Sequence, residues 1–376
     1  MRIEKLHVEG YRSLRDLETE LDWLTVLVGP NGVGKSNLYK SLHLLDRAAN
    51  RQLARAVASE GGMGSARWAG AGSKGNLALR MKVRWDELEY EIELGVELAA
   101  DNPGSFPHDP YVREEKIWSR MGKRVELIKR GGPLLKYRDD EGTWQKYRHN
   151  LDYNESMLSQ IREPSRFPSI VAVRNEIARW RFFHGFRSDE DSPLRKPQAV
   201  YRTTTMDSDG TNMVAALLTI QSGKNASMLK RIIKKALPDA KLSIQGNRND
   251  PIREIGMRYS AVDRVLGGHE LSDGTLRFFA LAAALLSEEQ PELLVLNEPE
   301  TALHPSTFPA LAEAIVFAAQ SAQVLVVSHS AELATEISKR ESAKVRTLHW
   351  DNKLGTRIDS QIPKVVVEYK PRDEAS

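Results

Sequence analysis

The sequence contains no cysteine. That excludes a disulfide framework, a cysteine zinc site, an iron–sulfur cluster and a thiol nucleophile, and it fits a reducing compartment. Long hydrophobic runs are missing as well. The longest, Phe278 to Leu286, has nine residues, against roughly 20 for a bilayer span. The opening Met1-Arg2-Ile3-Glu4-Lys5 mixes charges and lacks the apolar centre of a secretory signal. These absences predict a cytoplasmic protein with no membrane segment. A strong charge of either sign is absent too, since 54 basic side chains face 51 acidic ones for a net of +3. The total hides a slant: residues 1–60 carry +1, 61–270 carry +7 and 271–376 carry −5, which sum to +3. A modest positive field in the middle of the chain favours a polyanion. What is present is ordinary globular material, 41% apolar and 28% charged over 376 residues. That is enough for two domains, or for one large domain with an insertion.

Leu24-Thr25-Val26-Leu27-Val28 is short, nearly all apolar and closed by Gly29-Pro30. It reads as a strand buried on both faces. Leu38, Leu42 and Leu45 then recur at helical spacing. The same grammar returns late in the chain. A buried helix spans 274–287, and strands follow at Leu293–Leu296 and Val324–Val327 around a helix carrying Phe308, Leu311 and Ile315. Strand, helix and strand with short connections predict a right-handed parallel crossover. Between the halves, apolar residues alternate from Leu77 to Leu98 and again near Lys116–Ser119 and Arg124–Lys129, predicting antiparallel hairpins. From Ser156 the pattern turns mainly helical, and Ser188–Pro197 reads as a mobile loop.

The chemistry is concentrated in four places. Gly29-Pro30-Asn31-Gly32-Val33-Gly34-Lys35-Ser36 fills every required position of G-x-x-x-x-G-K-[ST] between a strand and a helix. Its glycines let backbone amides converge on phosphate oxygens at a helix N-terminus. The nucleotide-contacting run is therefore Asn31, Gly32, Val33, Gly34, Lys35, Ser36 and Asn37, with Lys35 on the β- and γ-phosphates and Ser36 on Mg²⁺. Leu293–Glu298 is a buried strand ending in Asn297-Glu298, where nucleotide hydrolases usually carry Asp-Glu. Glu298 is placed to act as general base on water. Asn297 can still hydrogen-bond the metal's water shell, but without an aspartate's charge, so the substitution bears on hydrolysis rate. Ser272 and Gly274, in Leu271-Ser272-Asp273-Gly274-Thr275, open a helix and make a second anion site or a plain helix cap. His329, in Ser328-His329-Ser330, follows the third strand and falls at the ligand-binding sheet edge, a candidate γ-phosphate sensor.

In that order, GPNGVGKSN, LSDGT, LLVLNEPETALHP and VVSHS resemble the ABC-type ATPases of the SMC, RecF and OLD group. The likeness is closest to the small stand-alone predicted AAA ATPases of that group, in which NEPE is a familiar variant. Glu9-Gly10-Tyr11-Arg12-Ser13-Leu14 fits the same group. The resemblance implies an α/β fold, a P-loop ABC-type ATPase head with a parallel-sheet core and an antiparallel β subdomain. The head would come from 1–60 and 271–376, with an antiparallel β insertion over 61–150 and a mainly helical lobe over 151–270. It implies ATP and Mg²⁺ as cofactors and a head-to-tail homodimer on ATP binding. Ser272 and Gly274 of one copy would cap the γ-phosphate held by the other, and Thr301–Pro305 would cross the interface. Arg12 would lie near the nucleotide, unless it is spent in a salt bridge. The glutamine expected to end a strand after the phosphate loop has no clear counterpart, and Gln52 sits in a helix extension. No long coiled coil is present, and the 47 residues after His329 are too few for a nuclease domain.

Arg162, Arg166, Arg174, Arg179, Arg181 and Arg187 are interleaved with Phe167, Trp180, Phe182, Phe183 and Phe186. That pattern fits either a nucleic-acid platform or a core. Lys230, Arg231, Lys234 and Lys235 form one helical stripe, equally a solvated face. The expected function is an ATP-driven homodimeric switch in a DNA or RNA transaction such as repair or phage defence. The alternative is a slow ATP sensor regulating a separate effector protein, such as a nuclease or toxin.

Overall fold

The computed structural model describes residues 1–68, 70, 78–96, 106, 108–247, 249–340 and 343–359. Leu77, the end of the alternation at 97–98 and the tail from Lys370 lie outside them. The chain opens with β1 (Ile3–Tyr11), β2 (Leu14–Glu20), β3 (Leu24–Val28) and helices α1 (Lys35–Ala49), α2 (Leu53–Ser59) and α3 (Met63–Ala66). Six strands follow: β4 (Leu79–Trp85), β5 (Leu88–Gly95), β6 (Tyr111–Ser119), β7 (Val125–Gly131), β8 (Leu134–Arg138) and β9 (Trp144–Lys146). Next come α4 (Met157–Gln160), α5 (Pro168–Ala178), β10 (Arg181–His184), β11 (Gln198–Ala199), α6 (Met213–Ser222) and α7 (Ala226–Ala236). Then come β12 (Ala240–Gln245), β13 (Ile252–Tyr259), β14 (Leu266–Gly267), α8 (Asp273–Leu285) and β15 (Leu293–Asn297). The last elements are α9 (Phe308–Ala318), β16 (Gln323–Ser328), α10 (Ala331–Ser338), β17 (Lys344–Asp351) and β18 (Gly355–Asp359).

One 14-stranded sheet runs β10-β15-β16-β3-β17-β18-β2-β1-β4-β5-β6-β7-β8-β9. From β10 to β17 the neighbours are parallel, and from β17 onward antiparallel. The parallel part is buried on both sides, which is why its strands are almost wholly apolar. Alternate residues feed two cores. Leu293, Val295, Leu325, Val327 and Leu27 join α1 on one side, while Leu294, Leu296, Val324, Val326 and Leu24 join α6, α8 and α9 on the other. Among the described residues no helix is long and apolar enough to cross a membrane.

Four expectations change. The stretch 151–270 holds strands β10 to β14 beside its helices, and β10 is the outer strand of the parallel core, against β15. The hairpins of 61–150 likewise continue the head's own sheet through the β1–β4 pairing. The arginine-rich aromatics are all core: Phe167, Trp180, Phe182, Phe183 and Phe186 are each at most 6% exposed. Phe182 enters one core and Phe183 the other, as period-2 alternation in β10 demands. They are unavailable for stacking on bases. The segment 188–197 is anchored rather than free. Ser192 and Leu194 are buried, and Arg195 donates to Ser188 O, Gly268 O, Leu271 O and Asp273. On α7, Arg231 and Lys235 both pair with Glu313 of α9.

Candidate functional site

The parallel register lines up four strand ends. His184 lies opposite Asn297, Asn297 opposite Val327, and Ser328 opposite Val28. The phosphate loop leaves directly after Val28, Glu298 after Asn297 and His329 after Ser328. The sequence-predicted loop, carboxylate and histidine therefore converge on one carboxyl edge, where ligands of open α/β sheets bind.

Two glycines show why the loop needs them. Gly34 caps α1 at φ +97°, and a Cβ there would sit 2.0 Å from Thr356 Oγ1 and 2.3 Å from Ser13 Oγ. At Gly29 a Cβ would lie 2.6 Å from Leu348 O. Thr356 donates to Val33 O at 2.8 Å, its hydroxyl is 2.7 Å from that of Ser13, and Asn37 Nδ2 donates to Ser13 Oγ at 2.7 Å. Asn37 thus clamps the loop to the β1–β2 turn and β18. Lys35 is buried, and its ammonium donates to Gly29 O at 2.5 Å and Pro30 O at 2.7 Å. Burial holds its pKa below the usual lysine value, against the opposing pull of Glu298 and Glu300. Asn31, Gly32 and Ser36 are exposed on the rim. The amides of Lys35 and Ser36 precede the first helical bond, from Asn37 N to Gly34 O at 3.0 Å, and are open to an anion.

Glu298 adopts φ 51°, a left-handed conformation rare for a non-glycine residue and typical of functional turns. Its amide is fixed to Val327 O at 2.7 Å, and its side chain is half-buried. Asn297 is 2% exposed, and its Nδ2 donates to His184 Nδ1 at 2.6 Å. Its Oδ1 is buried with no hydrogen-bond partner. An orphaned buried acceptor at this edge suits a hydrated cation. Among the described residues no group of three or more acidic or histidine side chains forms an all-protein metal cage. Mg²⁺ is commonly held by one or two protein oxygens plus phosphates and water.

Ser272 caps α8, accepting from Thr275 N at 3.3 Å, and is exposed. A Cβ on Gly274 would lie 2.6 Å from Ala302 O, so the 271–275 segment packs on the 301–303 turn of its own chain. Arg12 is engaged by Glu60, which accepts from its Nε at 3.0 Å and Nη2 at 2.9 Å. Gln52 accepts from Arg47 Nη1 at 2.5 Å, in a cap between helices rather than at a strand end.

Two residues escaped the sequence reading. Glu300 is buried, and its Oε1 accepts from Ser328 Oγ at 2.6 Å, His329 N at 2.8 Å and Ser330 N at 3.1 Å. It also lies 3.1 Å from His329 Nδ1, in a ring that is 44% exposed. Glu300 thereby ties the turn after β15 to the turn after β16 and orients His329. The second glutamate of Asn-Glu-Pro-Glu was the available signal. The other residue is His184, braced by Asn297 and by the Tyr39 ring at 5.5 Å. It ends the strand beside β15, the kind of position where a glutamine was sought. Replacing His184 with alanine frees the Asn297 amide to rotate. The expected result is about a tenfold or greater loss of Mg²⁺-dependent ATP affinity, as for other partners of metal-binding groups. Titrations with and without Mg²⁺ check this, and an equal loss in both would assign His184 to packing alone.

Residues 24–335 match the family model described as "AAA domain, putative AbiEii toxin, Type IV TA system". The chain belongs to that family. No curated protein matches this AAA-domain chain. Among solved structures it is similar to an SMC head bound to the C-winged helix domain of ScpA, with TM-score 0.53 and 14% identity over 97% of this chain and 98% of that one. It is also similar to an SMC head domain with an extended coiled coil bound to the C-terminal domain of ScpA, derived from Pyrococcus furiosus. There the TM-score is 0.51 and the identity 12%, over 95% and 96% of the two chains. The fold of this AAA-domain protein is therefore that of an SMC head, and the resemblance read from its sequence holds.

Proposed function

We propose that this protein is an ATP-binding and ATP-hydrolysing switch that closes as a homodimer. The observation that carries the reading is the shared edge: phosphate loop, Asn297-Glu298 and His329 follow three neighbouring strands in register. The amides of Asn31–Asn37 receive the phosphates, and Lys35 leaves the loop carbonyls for the β- and γ-phosphate oxygens. Ser36 and Asn297 Oδ1 would hold Mg²⁺, which supplies charge neutralisation on the phosphates when bound. Glu298 takes the proton of the attacking water. His329, steadied by Glu300, reads the γ-phosphate. Ser272 and Gly274 of a second copy cap it from the other side, and Thr301–Pro305 lie at that junction. Arg12 is spent in its ion pair with Glu60. The family description points to toxin–antitoxin or defence biology, and the switch would act there or in DNA repair, within the cytoplasm.

Asn297 favours a second reading, an ATP sensor of little turnover that governs a separate effector such as a nuclease or toxin. Its amide gives the metal's water shell no charge, and its Nδ2 is committed to His184. Single-turnover kinetics separate the two readings. The switch predicts measurable hydrolysis by the wild type and a gain of about tenfold with Asn297→Asp, equivalent to about 1.4 kcal/mol of barrier. No hydrolysis by either protein would support the sensor and contradict the switch.

A further inference from the structure

The sheet register brings together four lysines that are scattered in the sequence. Lys116 of β6 lies opposite Lys129 of β7, Lys129 opposite Lys136 of β8, and Lys136 opposite Lys146 of β9. They form one unbroken row across four adjacent strands. The row is on the outward face, because the alternate positions Ile117, Ile128 and Tyr137 and the pair Glu115–Arg130 are buried on the inner one. Like charges placed directly opposite one another destabilise a sheet, so the row needs a reason.

Local neutralisation covers only its inner half. Glu114 pairs with Lys116 at 2.5 Å and Lys129 at 3.1 Å. Lys136 and Lys146 are exposed and have no ion-pair partner among the described residues. The nearby Asp139 is turned into its own hairpin, where it accepts from Thr143 N and Gln145 Nε2 at 2.8 Å. Beyond Lys116 towards β1 the outward face is balanced by acids: Lys82 meets Glu89 and Glu91, and Arg80 meets Glu9 and Glu93. The surplus of positive charge is confined to the free end of the sheet. Apolar surface accompanies it. Two residues before Lys136 is Leu134, 64% exposed, and two before Lys146 is Trp144, 37% exposed with Arg138 stacked 4.8 Å from its ring centre. Lysines do protect sheet edges from pairing with other chains. That accounts for Lys146 on β9, but not for Lys129 and Lys136 on strands that are already paired on both sides.

We infer that the outward face of β6–β9 is a binding platform for single-stranded nucleic acid. The lysine row tracks the phosphates at the sheet's spacing of about 4.8 Å per strand, and Trp144 with Leu134 takes the bases. A flat row of one charge flanked by exposed apolar groups suits a repeating polyanion with stacking faces better than an acidic protein segment. The inference gives the nucleic-acid part of the proposed function a location. It rests on strand register, exposure and ion pairing, so it stands or falls independently of ATP turnover.

The test is fluorescence anisotropy of labelled oligodeoxythymidylate with the full chain across a salt series. The wild type is expected to bind, and more tightly than it binds a duplex of equal length. Lys136→Glu/Lys146→Glu is expected to weaken binding at least about 10-fold and to reduce the salt slope by about 0.7 for each lysine lost. Trp144→Ala is expected to weaken binding without changing that slope. Binding of a fluorescent ATP analogue, unchanged in both variants, reports an intact fold. Absence of oligonucleotide binding by the wild type, or equal binding by the double variant, would overturn the platform. Tighter binding of duplex, or displacement of the oligonucleotide by polyglutamate at equal charge concentration, would overturn the single-strand assignment.

Discussion

Replacing Glu298 with glutamine is expected to lower steady-state ATP turnover by about 10²- to 10⁴-fold, the usual worth of a positioned general base, with ATP affinity nearly unchanged. The reason lies in how the residue is held. Its backbone is forced to φ 51° and pinned through its amide to Val327 O, so the carboxylate is aimed by the turn and not by side-chain partners. Glutamine is isosteric and keeps that turn, removing only the proton acceptor. Lys35, whose lowered pKa arises from burial against the pull of Glu298 and Glu300, loses one of the two nearby negative charges but keeps its loop carbonyls. The loss should therefore appear in kcat and not in the binding constant. Parallel turnover and equilibrium-binding measurements check this, and turnover equal to the wild type would remove Glu298 from the chemistry.

The largest effect on stability is expected far from that edge. Arg130 and Glu115 are fully buried and paired at 2.8 Å. Arg130 also donates to Gly132 O, Asp152 O and Glu155 O at 2.6 Å each. Glu115 accepts from Tyr90 OH and Ser156 Oγ at 2.6 Å and from Met157 N at 2.8 Å. The network seals the β6–β7 hairpin onto the chain leading into α4. Arg130→Ala leaves a buried carboxylate without its cation and three carbonyls without their donor. A loss of about 3–5 kcal/mol is expected, because breaking one partner of a buried pair exposes the full desolvation cost. Urea melts of the variant beside Glu115→Gln/Arg130→Met check it. The double variant should lose clearly less than Arg130→Ala, since no lone charge remains, and equal losses would assign the effect to shape.

The parts legible in the sequence were those written in contiguous residues. Leu24–Val28, Leu293–Leu296 and Val324–Val327 announced a two-faced parallel sheet because all of their apolar residues except the partly buried Val28 are buried in one core or the other. The phosphate loop was legible because its glycines, lysine and serine sit within eight positions. What could not be read depends on pairing at long range. β10 spans four residues with both faces buried, so it carries no helical or strand period, and its flanking arginines imitate a nucleic-acid surface. His184 gains meaning only from lying opposite Asn297. Glu300 reads as a second acid in a turn until Ser328, His329 and Ser330 are found donating to it. The lysine row is created wholly by register, which no single segment encodes.

The central claim is that ATP held at this edge pairs two copies of the chain. Light-scattering mass of the Glu298→Gln variant, measured with Mg²⁺ and with or without ATP, tests it most directly because bound ATP is not consumed. The account predicts a monomer without ATP and a dimer with it, and the dimer should be lost when Ser272→Arg is added at the exposed start of the capping segment. A monomer in both conditions, while a fluorescent analogue shows that ATP is bound, would contradict it.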